Sequence, residues 1–321
     1  MTYSLKSLIK SLLNTESFSS KISIQEIAHL FENSKDSRGI LNGDDTAVIP
    51  TKNGYLLFAA EGIAPFLLEK NPRLAGRSAV LANVNDVYAM GGRPTALVDV
   101  VYSSDSRTTE QILLGMKESA ARFSIPIVGG HTIKTENQVA FSMAILGEAK
   151  SLITSFDARP GDHLVLVYNP CGTWLDEFGF WNSLLGRSNN DIVADLELLP
   201  KTSESGLVCS GKDVSMAGII GTSLMLAEAS KVGAQIHIDN IPIPKGVDKV
   251  KWLTAYFSYG FLLSIKPDHL EEVSIMFNKR SLSAVTIGEF CEGSEICLTM
   301  GSYDELFWDW NKRPYTGFTK P

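Results

Sequence analysis

The stretch NVNDVYAMGGRPTALVDVVYS, residues 83–103, sets a helix end, a turn and a strand in one line of sequence. Leu74, Leu81, Val84 and Tyr88 fall on one face of a helix running from Pro72 to Met90. Ala79, Asn83, Asp86 and Met90 fall on another face of it, as a period of 3.6 residues requires. The run GGRP (91–94) stops that helix, and TALVDVVYS (95–103) reads as a strand. A helix returning at once into an apolar strand is the building unit of a sheet with helices on one face.

The same alternation extends in both directions. Upstream, TAVIP (46–50) and GYLLFAAEG (54–62) read as strands joined by the turn TKNG (51–54). Before them, residues 3–32 carry apolar residues at helical spacing (Leu5, Leu8, Ile9, Leu12, then Ile24, Ile27, Leu30, Phe31), broken by TESFSS at 15–20. That pattern predicts two short helices. Downstream come a helix at 108–123, the strand IPIV (125–128), the turn GGHT (129–132) and the strand QVAFSMAILGEA (138–149). DARPGDHLVLVYNPCG (157–172) reads as a domain boundary with a new strand inside it. The second half runs through a glycine-studded helix at 214–231, strands AQIHID (234–239) and YGFLLSI (259–265), a helix near 267–280, and strands AVTIGEF (284–290) and EICLTM (295–300). The expectation is an α+β chain of two domains.

Composition excludes several classes. The 321 residues are 44% hydrophobic and 20% charged, with a net charge of −7 and no basic cluster. That balance argues against nucleic acid as the main partner, while leaving room for one nucleotide whose charge a divalent cation neutralises. The four cysteines are scattered and the five histidines dispersed, which reads as reduced thiols and no zinc site. The N-terminus MTYSLKSLIKSLLN is amphipathic and lacks the core of a secretory signal. No apolar run reaches the ~20 residues of a membrane helix, so the expected location is the cytoplasm, with no membrane partner.

Carboxylates recur at the ends of elements. LNGDDTAVIP (41–50) places Asp44 and Asp45 side by side at a strand start, where alternation turns one of them inward. An inward carboxylate needs a cation, from an ion pair or a metal. Glu61 ends a strand, Asp86 lies on a helix and Asp213 begins one. Separated carboxylates of this kind suit Mg²⁺, which takes a few carboxylates together with phosphate oxygens. Each also has a plainer reading: Asp213 as a helix cap, Asp86 as a solvated helix residue. Asn83 shares the face of Asp86 at i, i+3, so both can reach one ligand. The diglycine of GGHT can offer backbone N–H groups to phosphate, or simply make a hairpin. Gly218 and Gly221 stand where glycine weakens a helix. Approach by an anion or backbone, and tight packing, both account for them.

GDDTAV (43–48), NVNDVYAMGGRP (83–94), GGHT (129–132) and KDVSMAGIIGTSLMLAEASKVGAQIHIDNIPI (212–243) together resemble the aminoimidazole ribonucleotide synthetase superfamily. Its members include selenophosphate synthetase, thiamine-phosphate kinase and a hydrogenase maturation protein. The resemblance spans roughly residues 38–300. It implies an N-terminal barrel-forming α/β domain (38–155) after a helical segment (1–37), and a C-terminal ferredoxin-like α+β domain (156–321). It also implies a homodimer binding ATP and Mg²⁺, with a small-molecule substrate. By this resemblance Asp45, Asp86 and Asp213 match metal-binding aspartates, with Glu61 a fourth ligand. Gly129, Gly130 and His131 match a nucleotide-contacting turn, Ser215 matches a serine after the third aspartate, and Asn83 joins the cofactor-binding set. No catalytic residue is assigned.

The chain departs from that pattern in five places. AAEG (59–62) stands where Thr-Thr-Asp-Gly is usual, so Glu61 replaces an aspartate and two hydroxyls are lost. No cysteine precedes Gly39, which removes selenium chemistry. Met216 and His131 stand at aspartate positions of thiamine-phosphate kinase, and FSYGFLLSI (257–265) replaces a Gly-x-Asp-Tyr-Glu-Leu segment. The expected function is therefore Mg-ATP binding, with phosphorylation or ATP activation of a small metabolite. A nucleotide-binding regulatory or assembly module without turnover, and thiamine-phosphate kinase with altered ligands, are the alternatives.

Overall fold

A computed structural model describes residues 3–28, 30, 41–135 and 138–320. Phe31, Gly39 and the expected boundary at 37–38 lie outside them. The chain forms two units, Asp45–Ser151 with Arg187–Lys201, and Met1–Asp44 with Leu152–Gly186 and Thr202–Pro321. The helices α1 (Leu5–Leu13), α2 (Glu16–Ile22) and α3 (Gln25–Ala28) come first and belong to the latter.

The first unit contains β1 (Ala47–Thr51), β2 (Gly54–Gly62), α4 (Pro65–Lys70), α5 (Pro72–Ala89), β3 (Arg93–Ser103), α6 (Ser106–Phe123), β4 (Ile127–Lys134) and β5 (Ala140–Ala149). Its strands lie in the order β1-β2-β5-β3-β4, antiparallel except for the parallel β3/β4 pair at one edge. Both long helices begin as their sequences dictate. The Asn71 side chain accepts the N–H of Leu74 at 2.9 Å, and Asp105 accepts those of Arg107 and Thr108 at 3.1 and 2.9 Å. Each thereby satisfies donors that a helix start leaves open. Arg73 and Arg77 of α5 clamp Glu118 of α6 and hold its carboxyl down to about 2.

Burial along β3 alternates. Leu97, Asp99, Val101 and Ser103 are buried, while Val98 and Tyr102 are 40% and 39% exposed. The helices cover one face of the sheet, and the other stays open. The apolar strands YLLFAA and VAFSMAIL suit burial on both faces; in the single chain the sheet is open and not closed into a barrel, and Phe58, like Val98 and Tyr102, is exposed, at 46%. A correction concerns GGHT. Residues 129–132 are no turn but lie inside β4, with Val98 opposite Gly129 and Val100 opposite His131. Parallel pairing to β3 overrides the low strand propensity of glycine.

The second unit contains β6 (His163–Tyr168), a small sheet of β7 (Thr173–Leu175), β8 (Phe180–Asn182) and β11 (Tyr256–Phe257), and a large sheet. The helix α7 (Asn189–Leu196) belongs to the first unit, and the chain leaves that unit within α8 (Leu198–Glu204). Then follow β9 (Ser210–Asp213), α9 (Gly218–Ser230), β10 (Gly233–His237), α10 (Lys249–Leu253), β12 (Gly260–Ile265), α11 (Leu270–Asn278), β13 (Ser283–Cys291), β14 (Glu295–Met300) and β15 (Tyr303–Asp309). The large sheet runs β15-β14-β10-β13-β6-β12-β9. Within it β13-β6-β12-β9 are antiparallel neighbours in the spatial order 4-1-3-2 of a ferredoxin-like arrangement. The sequence expectation of that fold holds, extended by three strands at one edge.

Its core is built around α9, buried along its whole length. The N-terminal helices pack into that core. Leu5, Leu8 and Leu12 of α1 and Phe18 of α2 are buried with it, and each such side chain contributes about 1.5–3 kcal/mol. Phe18 stacks on Tyr315 with centroids 4.6 Å apart. First and last segments of the chain thus share one core.

Candidate functional site

In the first unit, α5 places Asn83 and Asp86 inward, 0% and 6% exposed. The solvated reading of Asp86 is therefore excluded. Asn83 donates from Nδ2 to the Ala79 carbonyl at 2.9 Å, and its buried Oδ1 has no hydrogen-bond partner. A buried acceptor left open costs on the order of 1–3 kcal/mol, so a ligand or cation there has a physical rationale. Asp45 is half-buried and precedes β1 by two residues; between them Thr46 is buried with its hydroxyl unpartnered. Its neighbour Asp44 accepts both the N–H and the hydroxyl of Ser155, the former at 3.0 Å.

The sheet register brings further residues into line. Glu61 lies opposite Met143, Met143 opposite Asp99, and Asp99 opposite Gly130. This row crosses four strands on the helix-covered face, with strands about 4.8 Å apart. Asp99 is 8% exposed, and burial raises its carboxyl above the usual range. No hydrogen bond or ion pair to it is seen among the described residues. A Cβ at position 130 would lie 2.5 Å from Asp99 Oδ2, so any other residue there would have to push this carboxylate aside. His131, opposite Val100, points to the open face. The structure thus groups Glu61, Asp99 and Gly130, and sends His131 the other way. Gly129 sits at the sheet edge, where a strand offers unpaired backbone N–H and C=O groups.

In the second unit Asp213 is 6% exposed at the end of β9, opposite Phe261. It is not a helix cap. α9 begins at Gly218, four residues later than the sequence suggests, and its N-cap Ala217 has no side-chain bond. The loop between is tight: Ala217 and Gly218 have φ of +82° and +65°, the first a costly angle for alanine. A Cβ on Gly218 would strike the Thr254 backbone, and one on Gly221 would meet Ala217 and the Tyr315 hydroxyl. Packing therefore accounts for both glycines. Ser215 is half-buried, its N–H donating to Thr222 Oγ1 at 3.3 Å, and Met216 beside it is 46% exposed.

Sequence reasoning missed Asp99, though a signal was there. It is the one charge in TALVDVVYS and shares the parity of Leu97 and Val101. Among the described residues no three His, Cys, Asp or Glu gather as a ready metal cage. The donors are oxygens throughout, the chemistry Mg²⁺ prefers when phosphate completes its shell.

Two family models match the chain. "AIR synthase related protein, N-terminal domain" covers residues 43–149, and "AIR synthase related protein, C-terminal domain" covers 171–300. An uncharacterized protein of Synechocystis sp. is 47% identical over 285 residues, 88% of each chain. Selenide, water dikinase of Nitratidesulfovibrio vulgaris is 23% identical over 297 residues, 78% of this chain and 84% of that one. Among solved structures, T. maritima PurL complexed with ADP superposes with a TM-score of 0.73 at 18% identity, covering 95% of this chain. This chain spans about half, 52%, of the PurL it matches. By both domain models, the chain belongs to the AIR synthase related protein family.

Proposed function

We propose that the protein binds Mg-ATP and uses it to phosphorylate or ATP-activate a small metabolite. The observation that carries this reading is the buried polar pair on α5: Asn83 keeps an unpartnered carbonyl oxygen one helical turn from buried Asp86. In the first unit Asp45, Glu61 and Asp86 are the proposed metal ligands, with Asn83 a cofactor contact on the helix of Asp86; in the second, Asp213 is proposed as a metal ligand and Ser215 as a cofactor contact. When bound, Mg²⁺ supplies positive charge against the phosphates. The chain's own part is positioning. Glu61 and Asp86 are fixed by strand and helix, and Gly129–Gly130 lie on a strand whose outer edge is free among the described residues. The Asp99 carboxyl, kept from water, stays protonated to higher pH than an exposed one. ATP affinity measured by calorimetry with Mg²⁺ and then with EDTA tests the reading. Loss of at least about tenfold in EDTA is expected; equal affinity rejects the metal assignment.

A nucleotide-binding module without turnover is the second reading, favoured by exposed Met216 and by Ala59-Ala60 in place of two hydroxyls. Phosphate release stimulated by candidate metabolites separates it from an enzyme.

The family resemblance and the open face also support a homodimer. Phe58, Val98 and Tyr102 are apolar side chains exposed on that face, which a second copy of the same sheet would cover. Sedimentation at micromolar concentration is expected to give a species of twice the 35.0 kDa chain mass. A 35.0 kDa species alone would contradict it. Among the described residues no helix is long and apolar enough to cross a membrane. Cytoplasmic location and the absence of a nucleic-acid partner stay parts of this proposal.

A further inference from the structure

Asp44 and Asp45 are adjacent in sequence but are held differently. Asp44 is seated on Ser155, whose N–H and hydroxyl both donate to its carboxylate. Ser155 is itself fixed from the far end of α9. Its carbonyl accepts the Ser230 hydroxyl at 2.8 Å, and Ser230 Oγ accepts the N–H of Ala158 at 3.0 Å. Gly43 is held from another side. Its φ is +106°, and a Cβ there would run into the ring of Phe318. Phe318 belongs to a C-terminal segment tied to that same end of α9. The N–H groups of Tyr315, Thr316 and Gly317 donate to Glu228, and Lys320 N–H donates to the Ala229 carbonyl at 2.9 Å. Residues 228–230 therefore anchor two arms, one gripping Asp44 and the other covering Gly43.

We propose that Asp44, Ser155 and Phe318 are positioning residues that set the backbone ahead of Asp45, and that Asp44 itself binds no metal. The inference rests on the Mg-ATP reading above, in which Asp45 is a ligand. A glycine-containing loop left loose loses affinity to the ordering it must undergo when ligand binds. A clasped loop has that ordering built in, and small misplacements of a binding group are costly. The pair of adjacent carboxylates thus divides into an anchor and a ligand.

The test compares Mg²⁺-dependent ATP binding by calorimetry across a set of variants, with thermal melts run alongside. Asp45→Asn should weaken binding by about tenfold or more, as loss of a charged ligand does. In Asp44→Asn the amide oxygen still accepts the Ser155 N–H and the amide nitrogen donates to Ser155 Oγ, so binding should stay within about twofold of the parent. Asp44→Ala and Phe318→Ala remove the grip and should each lose about fivefold or more. Phe318→Leu restores a side chain over Gly43 and should recover most of that loss, a rescue that general unfolding would not show. Should Asp44→Ala fail to fold, the Phe318 pair carries the comparison alone. Asp44→Asn as damaging as Asp45→Asn would make Asp44 a ligand and overturn the proposal. Phe318→Ala binding like the parent while Asp45→Asn fails would overturn the clasp and leave the Mg-ATP reading standing. Parent-like binding by Asp45→Asn would remove that reading and the clasp with it.

Discussion

Glu228→Ala is expected to destabilise the protein by at least about 3 kcal/mol, because one buried carboxylate serves four donors. Glu228 is fully buried on α9. It accepts the N–H of Tyr315 at 2.6 Å, the N–H and hydroxyl of Thr316 at 2.8 Å each, and the N–H of Gly317 at 3.4 Å. Alanine leaves all four donors without it. Each unsatisfied buried donor costs about 1–3 kcal/mol, and partial release of the tail into water keeps the sum below its maximum. The stack of Tyr315 on Phe18 would loosen with the tail. The effect depends on pH. Burial raises the Glu228 carboxyl above the ordinary value, so the folded state keeps its proton to higher pH than the unfolded chain. The stability this contributes is full below the unfolded pKa and is lost as pH rises through the folded one. The deficit of Glu228→Ala should therefore be largest at acidic pH and shrink upward. Urea unfolding at several pH values measures it; a loss under about 1 kcal/mol would show that water replaces the carboxylate without cost.

Asp86→Asn is expected to move stability and binding in opposite directions. The change removes a negative charge while keeping the shape of a side chain that is 6% exposed. Burying a charge carries a desolvation cost that the neutral amide does not. Stability without ligand should hold or rise. ATP binding in Mg²⁺ should weaken tenfold or more, on the order of 1.4 kcal/mol. A structural role alone predicts lower stability with binding intact. Parent-like Mg-ATP binding would remove Asp86 from the site.

The alternation of helix and strand was legible because each element carries its own period. The helix from Pro72 ends at Ala89, and the strand after GGRP is β3. What was not legible depends on partners distant in sequence. GGHT reads as a turn locally and becomes a strand because β3 pairs with it. The start of α9 moved from Val214 to Gly218 because the Thr254 backbone crosses at that point. The buried carboxylates divide the same way. Asp86 and Asp213 were found through motif, whereas Asp99 acquires meaning only once the register sets it beside Gly130. The grip of Ser155 on Asp44 joins residues 111 positions apart, beyond any local pattern.

The pairing of Phe18 with Tyr315 also sets an order of events during synthesis. Residues 45–151 make up most of one unit and emerge as a nearly continuous run, so that unit can collect its strands early. The other unit draws Leu5, Leu8, Leu12 and Phe18 into a core completed by Phe307, Trp308 and Tyr315. Contacts of such long sequence separation form slowly and leave apolar surface uncovered in the meantime. The amphipathic helices α1 and α2 must wait, with their leucines unburied, until Tyr315 has left the ribosome. Nascent chains arrested shortly before Phe307 should accordingly engage chaperones through α1 and α2.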